Sequence, residues 1–295
     1  MGRHILHLDC RHHISEILLE AEYLGHFEEK TDGPNVAFFK KFKNDWAKID
    51  QSKFKNCLSD RYVKSFLVTD RLNLLNFIQS MCDIKQVRDD YKELLNLRKL
   101  VLGAKKDFTF LKPGASHRAR WMSKAIYLLK MYLCRDQLSL SKKELRAMQN
   151  VVIFIILVYI PMWFEAPLAI AAPFNDLNLI KKLKLLQKKS NIGSFALYKF
   201  ALQPENHLRY LSEELVCLSL FDDRVDVNVK KAMAMKLRNQ TPYMERKLTP
   251  NVKVDSKFVK SSLAQFVTGR SYCFFEILGL EATFLKKRPN EWMNE

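Results

Sequence analysis

The chain has 295 residues, a formal charge of +17 and 48% apolar residues. That is enough to bury a sizeable core, and it excludes bulk disorder and a collagen-like or disulfide-stapled scaffold. With only 8 Gly and 9 Pro it lacks the turn residues of a long β-meander and the glycines of a phosphate loop, so the composition favours helices.

Taken in chain order, His4–Asp9 alternates apolar and polar residues and reads as a short strand. A helix comes next over about 11–23, with Ile14, Ile17, Leu18 and Ala21 on one face. After a turn at 31–35, a second helix is expected over 36–49, built on Phe38, Phe39, Phe42 and Trp46. Ser59–Asp60 resembles an N-cap for one long helix reaching Met81. Another helix covers 87–102 and ends at Gly103. Asp107–Leu111 alternates again and gives a second strand expectation.

The segment 116–135 is strongly helical in pattern, with Trp121, Ala125, Leu128, Leu129 and Tyr132 on one face and Arg120 and Lys124 on another. Ser141 and Glu144 form a capping-box pattern for a helix over 141–160. Pro161, Pro167 and Pro173 are expected to break the continuation of that helix. A helix resumes over 175–189, where Leu179, Leu183 and Leu186 form an apolar stripe and Lys181, Lys184 and Lys188 a basic one. Pro204 opens a helix to about Leu220, and a last one is expected over 254–266. No internal repeat is visible.

Charge is concentrated. Residues 101–200 carry 17 basic and 5 acidic groups, whereas 1–100 carry 17 and 15. Such a field attracts polyanions, nucleic acid or acidic lipid; the alternative is a lysine-rich solvated surface. The most apolar stretch, 151–164, has 14 residues. As a helix it would be about 21 Å long against a hydrocarbon core of about 30 Å, so it reads as a buried core helix, with no membrane partner expected.

Six cysteines with no Cys-x-x-Cys pair exclude a zinc ribbon and a thioredoxin motif. The N-terminus has no apolar signal region, and Leu6 departs from the myristoylation pattern. The expected location is intracellular, nuclear or cytoplasmic, and not secreted. Cys10 and His13, at i,i+3, fit half a zinc site or a helix anchored on the core.

LDCRHHISE (Leu8–Glu16), HRARWM (His117–Met122) and YLSEELV (Tyr210–Val216) resemble segments of a group of transposon-derived animal proteins, themselves similar to hAT-type transposases. The resemblance implies an RNase H-like core interrupted by a large helical insertion. In that family a metal-binding Asp stands beside a Cys-x-x-His motif, which matches Asp9 with Cys10 and His13. An Arg-Trp pair comes after the last core strand, matching Arg120-Trp121. The final carboxylate is a Glu on a helix after the insertion, matching Glu213 or Glu214. The family's first catalytic Asp has no counterpart, because only eight residues precede Asp9.

The expectation is therefore a mainly α chain with a residual RNase H-like α/β element. Residues 1–135 would form a partial core, 136–203 the helical insertion and 204–295 the C-terminal helical part of the core. Two carboxylates at most make it an inactive fragment needing no cofactor, with Mg2+ required only if the family's activity survives. Arg118, Arg120, Lys124, Lys181, Lys184 and Lys188 are the expected DNA contacts, with Trp121 stacking or packing between them. The alternative is an all-helical protein-interaction module without nucleic-acid function; an active metal-dependent transposase or nuclease is the reading least favoured.

Overall fold

The structure, a computed structural model, describes residues 5–28, 37–114, 121–243, 245 and 253–294. Every regular element among them is helical: the protein is mainly α. Two compact units result. The central unit comprises Ser15–Phe164 and Asn191–Phe195; the flanking unit comprises Met1–Ile14, Glu165–Ser190 and Ala196–Glu295.

The helices of the first half are α1 (Arg11–Phe27), α2 (Ala37–Asp45), α3 (Arg61–Leu67), α4 (Arg71–Cys82), α5 (Asp89–Val101), α6 (Trp121–Leu133), α7 (Lys142–Phe154) and α8 (Ile160–Glu165). In the central unit α6 is the hub. It is buried along almost its whole length and packs against α2, α5 and α7. Sequence chemistry fixes the helix ends. Asp60 caps α3 by accepting from the Tyr62 and Val63 amides at 3.1 Å. Asp89 and Asp90 open α5, and Arg98 and Lys99 close it, which matches the helix dipole. The capping box of Ser141 and Glu144 forms as the sequence predicts.

The single helix from Ser59–Asp60 to Met81 is split into α3 and α4. The β-branched pair Val68-Thr69 is a weak helix former, and the Asp70 carboxylate turns to accept from Asn73.

Pro161 does not end its helix. The chain stays helical over Lys142–Glu165, 24 residues, 89% of whose most apolar window is buried. A π-turn over Ile155–Tyr159 bridges α7 and α8, and in it Ile160 N–H donates to Ile155 O, five residues back. The next bond of that register would need the N–H that Pro161 lacks. Arg98, fully buried, donates instead from Nη2 to Ile156 O at 2.8 Å.

Neither expected strand exists among the described residues; His4 lies outside them. The chain at 5–9 and 107–111 is irregular and has no partner strand among the described residues. Side chains take its carbonyls: Arg209 Nε donates to His7 O at 3.2 Å, Tyr210 OH to Asp9 O at 2.9 Å and Lys130 Nζ to Leu111 O at 2.7 Å.

The segment Asn191–Phe195 completes the central unit. Ile192 is buried, the Gly193 amide donates to Glu22 Oε2 at 3.0 Å, and the Phe195 ring lies over Gly25 and edge-on to His26. His26 Nε2 is 3.2 Å from the same carboxylate, and its Nδ1 faces the Asn150 amide at 3.3 Å.

In the flanking unit the helices are α9 (Ala172–Lys189), α10 (Ser194–Leu202, whose start belongs to the segment Asn191–Phe195), α11 (Pro204–His207), α12 (Val227–Arg238) and α13 (Tyr272–Leu278). The helix expected from Pro204 to Leu220 is α11 followed by 3₁₀ turns at Arg209–Leu211 and Val216–Phe221. The three- and four-residue spacing of Leu208, Leu211, Leu215 and Leu218 is served by tight turns too, and all four are buried. Ser212 Oγ accepts from Leu215 N–H and Ser219 donates back to Val216 O, local bonds that compete with an α-helix. The helix expected over 254–266 is likewise two 3₁₀ turns, Ser256–Lys260 and Leu263–Phe266.

Candidate nucleic-acid interface

Helix α9 presents its lysines as the sequence spaces them. Leu179, Ile180, Leu183 and Leu186 are buried, Lys181 and Lys184 are half-buried and Lys188 is exposed. The helix has one acidic residue, Asp176. It is buried and bound to Arg11, with Nη2 to Oδ1 at 2.5 Å. The outward side of α9 therefore carries no carboxylate to offset its lysines. Burial holds the Lys181 ammonium below the usual lysine range.

The fold adds a second lysine run beside the first. Lys184 Nζ reaches Val254 O at 3.4 Å, and the turn Ser256–Lys260 packs on α9. Lys253, Lys257 and Lys260 are all exposed along this segment. Asp255, the acid among them, is spent as a cap, accepting from the Lys257 and Phe258 amides at 2.9 and 3.2 Å. Sequence reasoning missed these lysines. Their helical spacing is irregular, and only the packing of 256–260 on α9 brings them to the stripe.

The other expected nucleic-acid contacts fall elsewhere. Arg118 and Arg120 lie outside the described residues. Trp121 is buried and packs 5.5 Å from Tyr23. Lys124 is 1% exposed, with its ammonium 3.6 Å from the Trp121 ring centroid, inside the core rather than at a phosphate-facing surface.

The expected acidic residues are drawn into one region of the flanking unit, but Glu213 and Glu214 each face an arginine. Arg209 is the centre. It holds His7 O and stands 3.5 Å from Glu214, with both side chains about 3% exposed. Glu213 faces Arg270 instead, at 3.4 Å. Asp9 has His7 Nε2 at 3.6 Å. Nearby, burial raises the Asp176 carboxyl above the usual aspartate range against the pull of Arg11. Burial also pushes the Tyr210 phenol up to about 12.

This is not a donor set for paired magnesium. Two neighbouring carboxylates are each turned to a different guanidinium. No group of three His, Cys, Asp or Glu side chains among the described residues converges on a point. Asp9, Glu213 and Glu214 do not fit the metal pair that the resemblance implies. Glu214 faces the buried Arg209, and Glu213 faces the half-buried Arg270.

Cys10 and His13 are both exposed at the start of α1, where Cys10 O accepts from His13 N–H at 3.1 Å. They start a helix without anchoring it in the core.

No protein-family model, curated protein or solved structure matches this chain.

Proposed function

We propose that this chain binds nucleic-acid backbone without sequence preference, through the lysines of α9 and the adjoining 253–260 segment. In this reading it is a transposase-derived, catalytically inactive protein acting in the nucleus or cytoplasm. The observation that carries the binding is the two-run lysine face on which every nearby carboxylate is already committed. The transposase origin, and with it the finer assignment of an RNase H-like remnant, rests on the segments around Asp9, Trp121 and Tyr210. The arginine partners of Glu213 and Glu214 favour the inactive form.

The test is fluorescence anisotropy on a labelled 20-base-pair duplex. Affinity is expected to fall with salt, log K dropping by about 0.9 per neutralised phosphate for each tenfold rise in salt. The triple variant Lys181→Glu, Lys184→Glu, Lys188→Glu is expected to lose at least tenfold at about 50 mM salt. Unchanged binding by that variant would overturn the assignment.

A second reading, a protein-interaction module, is favoured by the apolar side chains Val68, Leu72, Ile84 and Val87, which the α3–α4 region exposes. It predicts no duplex binding even at low salt.

A further inference from the structure

In the central unit, α4 packs inward on α5 with Leu74 and Ile78 buried, and leaves one side to solvent. That side runs through Leu72, Asn73, Asn76, Gln79 and Ser80 at helical spacing, all exposed. Its two ends are apolar. Val68 and Leu72, 44% and 71% exposed, stand where α3 turns into α4; Ile84 and Val87, 58% and 85% exposed, stand in the connection to α5. The 12 residues of α4 separate these ends by about 18 Å.

The middle of this side is uncharged, and opposite charges stand at its ends. Arg71, the one cation within α4, is half-buried and donates from Nε to Leu102 O. Asp70 precedes the helix and accepts from Asn73 Nδ2 at 2.7 Å. Lys85 follows the helix, exposed, and makes no hydrogen bond or ion pair among the described residues. Residues 60–90 carry five basic and five acidic groups in a chain of net charge +17, so a second copy meets this stretch without the repulsion set up by the basic regions.

A face with apolar ends, an uncharged polar middle and an acid at one end against a base at the other is complementary to itself turned end for end. We propose that α4 is the contact of a homodimer in which two copies of the helix lie antiparallel about a two-fold axis. Val68 and Leu72 of one copy meet Ile84 and Val87 of the other, Asn76 lies opposite Gln79, Asn73 opposite Cys82, and Asp70 opposite Lys85. Four apolar side chains from each copy make a small contact of the transient class. The dimer gives the apolar residues of the second reading one stated partner. It does not depend on the lysine face of α9, and duplex binding, which tests the two readings above, is measured separately from self-association.

The test is sedimentation equilibrium of the nuclease-treated full chain at concentrations up to about 1 mM, the range a weak contact requires. A monomer–dimer equilibrium is expected. Leu72→Asp, an exposed change checked by circular dichroism, is expected to weaken it at least tenfold. Lys85→Asp sets two acids together and is expected to weaken it at least threefold; adding Asp70→Lys to that variant is expected to restore it. Cys82 is exposed and supplies a register test. In a Cys10→Ser background, Asn73→Cys is expected to form a disulfide with Cys82 of the second copy under oxidised glutathione, identified by mass spectrometry of the linked peptides. A monomer throughout, indifference to Leu72→Asp, no rescue by the charge swap, or links between the two Cys82 residues instead would each overturn the proposal. Association seen only before nuclease treatment is bridging by nucleic acid and would overturn it as well.

Discussion

The buried guanidinium of Arg98 stands in for the amide proton that Pro161 lacks. Its Nη2 donates to Ile156 O, five residues before the proline, where the π-turn register has run out of donors. A proline that would otherwise break the longest helix of the central unit is thereby accommodated by a residue on α5. Arg98 also stacks over Phe77 at 5.1 Å.

Arg98→Met removes the donor and leaves a buried carbonyl unsatisfied, at a cost of about 3 kcal/mol. Pro161→Ala restores an amide at the right place. In the double variant about 1 kcal/mol or more of the loss is expected to return, a coupling between sites in one network. Urea denaturation of the four proteins of the cycle measures it. Strict additivity would show that the two residues do not share this carbonyl.

The carboxylates of Glu214 and Asp9 differ in what they hold. Arg209→Met strips the cation from buried Glu214, and a cost of about 3–5 kcal/mol is expected in chemical denaturation. Asp9→Asn changes a side chain whose main-chain carbonyl, not its carboxylate, receives Tyr210, so stability is expected to move by less than about 0.5 kcal/mol. Equal losses from the two changes would contradict the geometry.

Gly25 has no Cβ because the Phe195 ring occupies its place; an added carbon would lie 2.4 Å from three ring atoms. Gly25→Ala is expected to cost about 1–3 kcal/mol by overpacking. Melting temperature provides the readout, and Phe195→Leu in the same background is expected to recover part of the loss.

Two glutamates give opposite pH signatures. Glu144 titrates below its ordinary value of 4.5 because of the Ser141 bonds. Its contribution is fully present above pH 4.5 and is lost as pH falls through its folded value. Glu165 titrates above 4.5 because of burial, with Arg224 at 3.5 Å opposing the shift. The folded state holds that proton more tightly, so stability declines as pH rises from 4.5 through the raised value. In urea midpoints against pH, Glu144→Gln is expected to flatten the acid limb below 4.5. Glu165→Gln is expected to remove a decline above it. The reverse pattern would refute both assignments.

Legibility in the sequence tracked the range of the interaction. Caps are local, so Asp60 and the Ser141–Glu144 box were readable from a few letters. The lysine stripe of α9 was readable for the same reason, because its spacing lies within one helix. Alternation in Asp107–Leu111 was misleading, since a strand needs a partner and a lysine on α6 took the carbonyl instead. Helix length at Pro161 depended on Arg98, far away in the chain, and the leucine spacing after Pro204 suited two kinds of helix equally. The fates of Glu213 and Glu214 turned on arginines that no motif marks.

The strap Asn191–Phe195 has a consequence for how the protein is made. Its Gly193 amide and Phe195 ring are wall material for a unit whose other residues end at Phe164. A ribosome that has delivered Phe164 has therefore not delivered a finished unit. Until the thirty-first residue beyond it emerges, the Glu22 carboxylate lacks its Gly193 donor and the Gly25 hollow lacks its ring, so closure of this half of the molecule is timed by translation of the other.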